Sequence, residues 1–148
     1  MDQKQRERNT SILEWFDAVI FALVLVLTIL VFIVRTVRVD GSSMVPTLND
    51  GDQLLAYSLG YTPQRGDIIV VDGYTQYGEP LVKRVIGIGG DTIDINFDTG
   101  DVYVNGQLIH ETYISAPTTR SADVSFPLTV PEGTLFVMGD NRPNSMDS

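Results

Sequence analysis

The longest apolar segment of the chain lies near its N-terminus. Seventeen consecutive residues, 18–34, carry no charged side chain, and Trp15 and Phe16 extend the segment toward the N-terminus. A helix of about 20 such residues is about 30 Å long, which matches the hydrocarbon core of a bilayer. Two arginines follow, where a cleaved secretory signal would need small residues. We therefore predict an uncleaved transmembrane α-helix over residues 15–34.

Beyond residue 38 the pattern changes to short runs rich in Val, Ile and Tyr. The runs are separated by Gly, Pro, Asp and Asn, which is typical of antiparallel strands joined by turns. Asn105-Gly106 lies between two alternating segments and is a strong hairpin signal, whereas residues 115–126 are predicted to form a polar loop. We predict that residues 39–148 form one all-β domain, a mostly antiparallel coiled or barrel-like sheet, built from QLLAYS, DIIVV, PLVKRVIGI, TIDIN, DVYVNGQLIHE and TLFVMGD.

Charge is distributed unevenly between the two parts of the chain. Residues 1–38 carry a net charge of +1, whereas residues 39–148 carry 15 acidic and 5 basic side chains, a net charge of −10. An acidic domain is a poor partner for nucleic acid and for an anionic membrane leaflet. We therefore predict a single-pass protein of the cell membrane, in contact with the lipid bilayer. Residues 1–14 are its cytoplasmic tail, and the β domain is extracytoplasmic.

The residue types present exclude several kinds of catalytic site. The chain has no cysteine, so it has neither a cysteine nucleophile nor thiolate metal ligands. Its one histidine, His110 in the predicted hairpin, cannot supply the several imidazoles of a typical catalytic zinc site. The triplet Asp98-Thr99-Gly100 occurs once, whereas an aspartic protease needs two facing aspartates. We expect no metal and no cofactor.

Lys83 is the candidate for a catalytic base. It is the only lysine beyond the apolar segment, and it lies among apolar residues of a predicted strand. Burial lowers the pKa of a lysine because it disfavours the ammonium, and a neutral lysine can act as the general base for a serine. On the residues alone, the alternative stays open that Lys83 faces solvent or pairs with Glu79 or Asp91.

Two adjacent serines, Ser42 and Ser43, are the candidate nucleophiles. They follow Gly41, which has no side chain and so lets backbone N–H groups approach a substrate carbonyl, as an oxyanion hole requires. The sequence DGSS at 40–43 also fits an ordinary turn. The residues alone leave both interpretations open.

Four longer segments, in this order, carry a resemblance to a known family. They are VDGSSMVPTL (39–48), RGDIIVV (65–71), VKRVIGIGGD (82–91) and GDNRPNSMDS (139–148). Together, behind an apolar segment, they resemble the successive conserved boxes of the bacterial type I signal peptidases, the Ser–Lys leader peptidases. The single anchor and the short β domain most resemble the Gram-positive branch. The resemblance extends from Val39 to the end of the chain.

The resemblance implies a role for each matching residue. Ser43, which precedes the methionine, corresponds to the nucleophile, and Lys83 corresponds to the general base. Ser145 matches a serine that hydrogen-bonds the base and orients it. The oxyanion hole is expected to use backbone N–H groups near Gly41, above all that of Ser43. Supporting polar positions near the site are implied for Asp140, Arg142 and Asp147.

The same resemblance implies the reaction and its substrates. The expected activity is that of a membrane-anchored serine endopeptidase, which removes N-terminal signal peptides from secreted precursor proteins after an Ala-x-Ala site. Shallow apolar pockets for small side chains are expected near Met44 and Val82. No cofactor is implied.

The last matching segment departs from the family pattern at Ser148. There the family continues with an arginine and a further segment that closes the sheet, so we expect that the C-terminal end is missing and that stability and activity are reduced. Two alternatives stay open. One is a soluble, self-cleaving Ser–Lys peptidase of the repressor type, against which the apolar segment argues. The other is a non-enzymatic, membrane-anchored β-domain or an inactive truncated peptidase.

Overall fold

The computed structural model describes residues 3–57, 59–72, 78, 80–120 and 124–145, and it describes only the backbone of residues 3–13 and 30–34. Within this part of the chain, one α-helix precedes nine short strands and one 3-10 helix. All paired strands are antiparallel, so the predicted mostly antiparallel β architecture is confirmed. The elements are α1 (Gln3–Ile33), β1 (Val34–Arg38), β2 (Gln53–Tyr57), β3 (Ile68–Val71), β4 (Leu81–Ile88), β5 (Thr92–Asn96), β6 (Asp101–Val104), β7 (Gln107–Leu108), β8 (Leu128–Thr129), β9 (Leu135–Met138) and η1 (Arg142–Asn144).

The helix α1 runs through both the predicted cytoplasmic tail and the predicted anchor. Its side chains from residue 14 to residue 29 are exposed, with Trp15 64% and Phe21 71% accessible. Of the helices that the structure describes, none has the length and apolarity needed to cross a membrane. The membrane anchor stays a prediction.

The first sheet has two strands and follows the helix directly. β1 pairs with β2, from Val34 opposite Tyr57 to Arg38 opposite Gln53. Sequence reasoning assigns no strand to residues 35–38, because arginines after an apolar run are typical of a membrane flank. Val34, Thr36 and Val37 of this segment are β-branched, and such residues are equally typical of a strand.

The second sheet, in the order β3-β4-β9, positions Lys83. In the register of this sheet, Lys83 lies opposite Ile69 and Arg84 lies opposite Met138, with an irregularity between Val85 and Gly87. Because the strands are antiparallel, the chain that leaves β9 after Met138 runs beside Lys83. The segment that begins at Gly139 is therefore brought to the buried face of β4.

The third sheet, in the order β7-β6-β5-β8, confirms the predicted hairpin. Asn105 and Gly106 both have positive φ, 52° and 76°, as a type I′ turn requires. The prediction that His110 lies in a hairpin strand is wrong, because β7 ends at Leu108 and His110 is exposed beyond it.

The apolar core lies between the second and third sheets. Three aromatic rings, Phe97, Phe126 and Phe136, meet edge to face across it, with centroids 5.8 and 6.1 Å apart. The geometry is that preferred by aromatic pairs. The buried members of the core are Ile86, Ile93, Ile95, Val102, Val104, Val130, Phe136 and Met138.

Candidate active site

The loop that carries the two serines is closed at its base by backbone hydrogen bonds. The Val39 N–H donates to the Asp52 carbonyl at 2.8 Å, and the Gly51 N–H donates to the Val39 carbonyl at 2.9 Å. Inside the loop the Gly41 N–H donates to Asp50 Oδ1 at 2.9 Å. Gly41 has a φ of 87°, a conformation that glycine adopts without strain. These contacts fix the direction in which the chain enters the serine pair.

Ser43 is half-buried, whereas its neighbour Ser42 is exposed. The next residue, Met44, is completely buried and fixes the loop to the domain. The Leu48 N–H donates to the Met44 carbonyl at 2.9 Å, which makes one helical turn after the serines. Within the part of the chain that the structure describes, neither the N–H nor the hydroxyl of Ser43 makes a hydrogen bond.

Lys83 and Ser145 meet in the interior of the domain. Lys83 Nζ donates to Ser145 Oγ at 2.5 Å, and the two residues are 3% and 8% accessible. Lys83 is placed by β4, and Ser145 is placed by the short helix η1 that precedes it. The alternative in which Lys83 faces solvent is thus wrong, and Asp91 pairs instead with Arg65.

Asn141 joins the serine loop to the segment of Ser145. Its backbone N–H donates to the Ser43 carbonyl at 2.9 Å, and its Nδ2 donates to the Ser42 carbonyl at 2.9 Å. Sequence reasoning did not single out Asn141, although it lies within the GDN triplet of the last matching segment. Its backbone N–H and its side-chain amide supply one donor each, so that one residue binds two consecutive carbonyl groups.

Gly139 lies where the serine loop, Ser145 and β9 converge. A Cβ atom at this position would come within 2.5 Å of the Ser43 carbonyl oxygen, and it would lie still closer to Ser145 Oγ. The site therefore has no room for a side chain here. The absence of a side chain at Gly139 allows Ser43 and Ser145 to approach from opposite sides.

Asp140 is fully buried and is held by a bidentate ion pair. Arg84 Nε donates to Oδ1 at 2.8 Å and Arg84 Nη2 donates to Oδ2 at 2.7 Å. The hydrogen bonds that Arg84 donates to Asp140 hold the pKa of its guanidinium above the ordinary value. The hydroxyl of Thr47, at the end of the serine loop, also donates to Asp140. The pair therefore links β4, the serine loop and the segment after β9.

Arg142 makes a second buried ion pair, with Glu111. Its Nη1 donates to Glu111 Oε2 at 3.1 Å and to Thr118 Oγ1 at 2.5 Å, and its Nη2 donates to Glu111 Oε1. Its Nε donates to the Gly139 carbonyl at 2.9 Å. The Tyr113 hydroxyl donates to Glu111 Oε1 at 3.0 Å. Burial, and then the charge of Glu111, raise the pKa of Tyr113.

The two ion pairs are connected through Tyr113. The Arg84 guanidinium lies over the Tyr113 ring, 4.1 Å from its centroid, which is the geometry of a cation–π contact. We call this group of side chains the site cluster. It consists of Arg84, Glu111, Tyr113, Asp140 and Arg142.

Asp147 lies outside the residues that the structure describes. Met44 and Val82, expected at a substrate pocket, are buried to 0% and 9% accessibility. In the described part of the chain, no three His, Cys, Asp or Glu side chains converge as a metal site would require.

A groove of about 1020 Å³ adjoins the serine loop. It lies between β1, β2 and β3, and its wall reaches Asp40 and Leu48 on either side of the two serines. Its apolar lining includes Val37, Leu54 and Val70. Neither Met44 nor Val82 is part of this lining.

Comparison with known proteins connects these features to a family. Residues 12–148 match the family described as "Signal peptidase, peptidase S26". The chain belongs to this family. It is 41% identical to "Signal peptidase I" of Bacillus licheniformis, over 99% of this chain and 83% of that protein. It is 38% identical to "Signal peptidase I S" of Bacillus subtilis (strain 168), over 100% of this chain and 84% of that protein.

A solved member of the signal peptidase family shows a similar sequence. The crystal structure of a signal peptidase I from Enterococcus faecalis V583 is 36% identical, with a TM-score of 0.49, over 59% of this chain and 84% of that chain. The predicted resemblance to the type I signal peptidases is confirmed by the family match and by the relatives. The prediction of a serine peptidase, a hydrolase, is confirmed with it.

Proposed function

We propose that this chain removes signal peptides from secreted precursor proteins with Ser43 as the nucleophile and Lys83 as the general base. The observation that carries the proposal is the buried hydrogen bond between Lys83 Nζ and Ser145 Oγ. It lies in the same cluster of contacts as the backbone of Ser43, which is held by Asn141 and packed against Gly139. A serine nucleophile, a base and a group that orients the base are the parts that covalent catalysis by serine needs.

The proposed reaction has two steps that share one base. The neutral Lys83 amine takes the proton of Ser43 Oγ as this oxygen attacks the scissile carbonyl carbon. The tetrahedral intermediate breaks its C–N bond, and the Lys83 ammonium gives its proton to the leaving amine. Lys83 then takes a proton from water as the water oxygen attacks the acyl ester carbon. The C–O bond to Ser43 Oγ breaks, the Lys83 ammonium returns the proton to Oγ, and the signal peptide leaves with a C-terminal carboxyl group. Ser145 keeps the amine oriented through both steps.

The oxyanion of the intermediate is expected to accept a hydrogen bond from the Ser43 N–H. That group has no hydrogen-bond partner among the described residues, so it is available to a substrate. The Gly41 N–H, by contrast, already donates to Asp50 Oδ1. We therefore propose that Gly41 shapes the turn and that the oxyanion donor is the Ser43 N–H. Removal of one such donor typically costs about 100-fold to 1000-fold in rate.

The groove beside the serine loop is the proposed binding site for the precursor. β1 and β3 both line it, and each is at the edge of its sheet in the part of the chain that the structure describes. An extended peptide can pair with such an edge and place alternate side chains in apolar pockets. The preference for an Ala-x-Ala site is proposed on this basis, with small residues next to Ser43.

The proposed enzyme is attached to the membrane through residues 15–34. The support is the uncharged run at 18–34, of which residues 30–34 have no described side chains. The acidic β domain is proposed to lie outside the cytoplasm, with residues 1–14 inside. Precursors arrive with an apolar segment in the bilayer, and attachment of the enzyme to the same surface raises their effective concentration. Extraction at alkaline pH should leave the full chain in the membrane pellet, and release into the supernatant would contradict the anchor.

The test of the proposed function compares three proteins in detergent. The full chain, Ser43→Ala and Ser42→Ala are each incubated with a precursor that carries an Ala-x-Ala site, and the product ends are determined by mass spectrometry. We expect cleavage after the second alanine by the full chain and by Ser42→Ala, and none by Ser43→Ala. Equal cleavage by Ser43→Ala, or none by the full chain, would contradict the proposal.

A further inference from the structure

A segment from Glu111 to Thr118, here called the strap, crosses the residues that follow β9. Its Ser115 N–H donates to the Asp140 carbonyl at 3.2 Å, and Ser115 Oγ donates to Asn141 Oδ1 at 3.1 Å. At its far end the Thr118 N–H donates to the Gly100 carbonyl at 3.3 Å. The strap is thus attached to the third sheet at one end and to the Ser145 segment along its length.

The strongest contact of the strap is the ion pair of Glu111 with Arg142. Both side chains are buried, with 6% and 1% of their surfaces accessible. The carboxylate accepts hydrogen bonds from two nitrogens of the guanidinium, in the bidentate geometry that fixes orientation as well as distance. The sequence gives no sign of this pair, because 31 residues separate its members.

Arg142 links Glu111 to the backbone beside Ser43 and Ser145. Its Nε donates to the Gly139 carbonyl at 2.9 Å. Gly139 in turn contacts both Ser145 Oγ and the Ser43 carbonyl so closely that no Cβ atom would fit between them. A shift of Arg142 would therefore move Gly139, and with it the spacing of Ser43 and Ser145.

We propose that Glu111 is a positioning residue for the peptidase reaction, because its carboxylate holds Arg142 against the Gly139 carbonyl and so fixes Ser145 and Ser43 relative to Lys83. This inference rests on the proposed function. Glu111 is proposed to act through Arg142. Its effect is on geometry, and a misplacement of about 1 Å at reacting groups costs about 100-fold in rate.

The groove for the precursor is lined by β1, β2 and β3 and includes no residue of the strap. Loss of Glu111 should therefore change the rate of the chemical step and leave substrate binding almost unaltered. A residue needed only for folding would lower the amount of active protein without this separation of kcat from KM.

The experiment compares Glu111→Gln with Asp91→Asn in the detergent-solubilised full chain. Both changes neutralise a buried carboxylate that is paired with an arginine, but Asp91 pairs with Arg65 and makes no described contact with the Ser145 segment. We expect Glu111→Gln to lower kcat for an Ala-x-Ala precursor by about 10-fold to 100-fold with KM within about twofold. We expect Asp91→Asn to retain kcat per folded molecule.

A double variant tests whether Glu111 acts through Arg142. In an Arg142→Met background, the further change Glu111→Gln should lower kcat by less than about threefold. The contact through which Glu111 acts is already lost in that background. An equal loss in both backgrounds would overturn the proposal. So would a Glu111→Gln protein that melts at a lower temperature but keeps wild-type kcat.

A measurement without substrate separates this inference from the proposed function. The Asn141 N–H donates to the Ser43 carbonyl, so its hydrogen exchange reports whether the two segments stay together. We expect exchange at Asn141 to be at least about tenfold faster in Glu111→Gln than in the full chain and in Asp91→Asn. If the full chain cleaves nothing, the proposed function fails, and unchanged exchange at Asn141 would separately overturn the positioning role.

Discussion

Two groups of buried carboxylates, each paired with an arginine, lie toward opposite ends of β4, and they differ in what they connect. Near the end of the strand, Asp91 accepts hydrogen bonds from Arg65 Nε at 2.7 Å, from the Ile88 N–H at 2.9 Å and from Asn105 Nδ2 at 3.0 Å. We call Arg65, Asp91 and Asn105 the turn cluster. Near the start of the strand, Arg84 belongs to the site cluster, which joins β4, the strap and the segment after β9.

The exposure of the arginines differs as well. Arg65 has 47% of its side chain accessible, whereas Arg84 and Arg142 have 11% and 1%. A partly solvated pair contributes little to stability, but removal of one partner from a buried pair leaves an uncompensated charge. The same chemistry therefore closes turns in one cluster, and in the other it holds together segments from distant parts of the chain.

Replacement of Lys83, the lysine beside the site cluster, should lower activity more than any other change. Lys83→Met keeps a long apolar side chain at a buried position and removes the amine. We expect cleavage of an Ala-x-Ala precursor to fall at least about 1000-fold, because every proposed proton transfer uses this group. Initial rates in detergent measure the loss, and the melting temperature controls for folding. A rate within tenfold of the wild type would show that Lys83 is not the base.

The next effect is on stability, at the buried carboxylate of the site cluster. Asp140→Asn removes the carboxylate that is bidentate to Arg84 and fully buried. We expect the free energy of unfolding to fall by about 3 kcal/mol, since a buried guanidinium loses its counter-charge. Asp94→Asn, an exposed site on β5, is the matched control in urea denaturation. A loss below about 1 kcal/mol at Asp140 would remove the distinction between the clusters.

Gly139 in the site and Gly87 in the core both lack room for a side chain, so the same substitution can be compared at the two positions. Gly139→Ala places a methyl group against Ser145 Oγ and the Ser43 carbonyl, whereas Gly87→Ala places one 2.6 Å from Ile93 Cδ1 in the core. We expect Gly139→Ala to lower kcat about 100-fold. Gly87→Ala should cost about 1–3 kcal/mol of stability and leave kcat per folded molecule unchanged. Equal effects of the two on kcat would contradict the proposed geometry.

The smallest effect is expected in the turn cluster and depends on pH. The hydrogen bond from Arg65 lowers the pKa of Asp91 from 3.8 to about 2. Ionised Asp91 therefore contributes stability above about pH 4, and this contribution is lost as the pH falls toward 2. Because Arg65 is half-exposed, we expect Asp91→Asn to cost about 1 kcal/mol at pH 7.

Unfolding curves of the wild type and Asp91→Asn between pH 7 and pH 2 test this expectation. The difference between the two proteins should shrink as the pH falls below about 4. A difference that stays constant over this range would show that ionisation of Asp91 contributes nothing to stability.

Local patterns predicted much of the fold because each needs only neighbouring residues. The Asn105-Gly106 turn and the strands β2 to β6 and β9 follow from alternation and turn residues. β1 was not predicted, because Arg35 and Arg38 fit a membrane flank as well as a strand. β8, with two residues, is too short to leave a periodic signal.

Sequence patterns predicted the principal groups of the site but not the residues that hold these groups in place. A single lysine in an apolar run, read with the family resemblance, indicates Lys83, Ser43 and Ser145. The contact of Asn141 with the serine loop joins residues 98 and 99 positions apart, and a pairing over such distances depends on the sheet register. Glu111 lies beside an exposed histidine in an irregular segment, where a charged residue is ordinarily solvated.

Identification of the acylated residue distinguishes Ser43 from every other nucleophile. The full chain is mixed with an Ala-x-Ala precursor, quenched rapidly in acid and digested, and peptides that contain Ser42 and Ser43 are fragmented in a mass spectrometer. We expect an ester between Ser43 Oγ and the alanine carboxyl group of the signal peptide, and we expect this ester to be absent from Lys83→Met. An ester on Ser42, or on a residue outside the serine loop, would contradict this expectation.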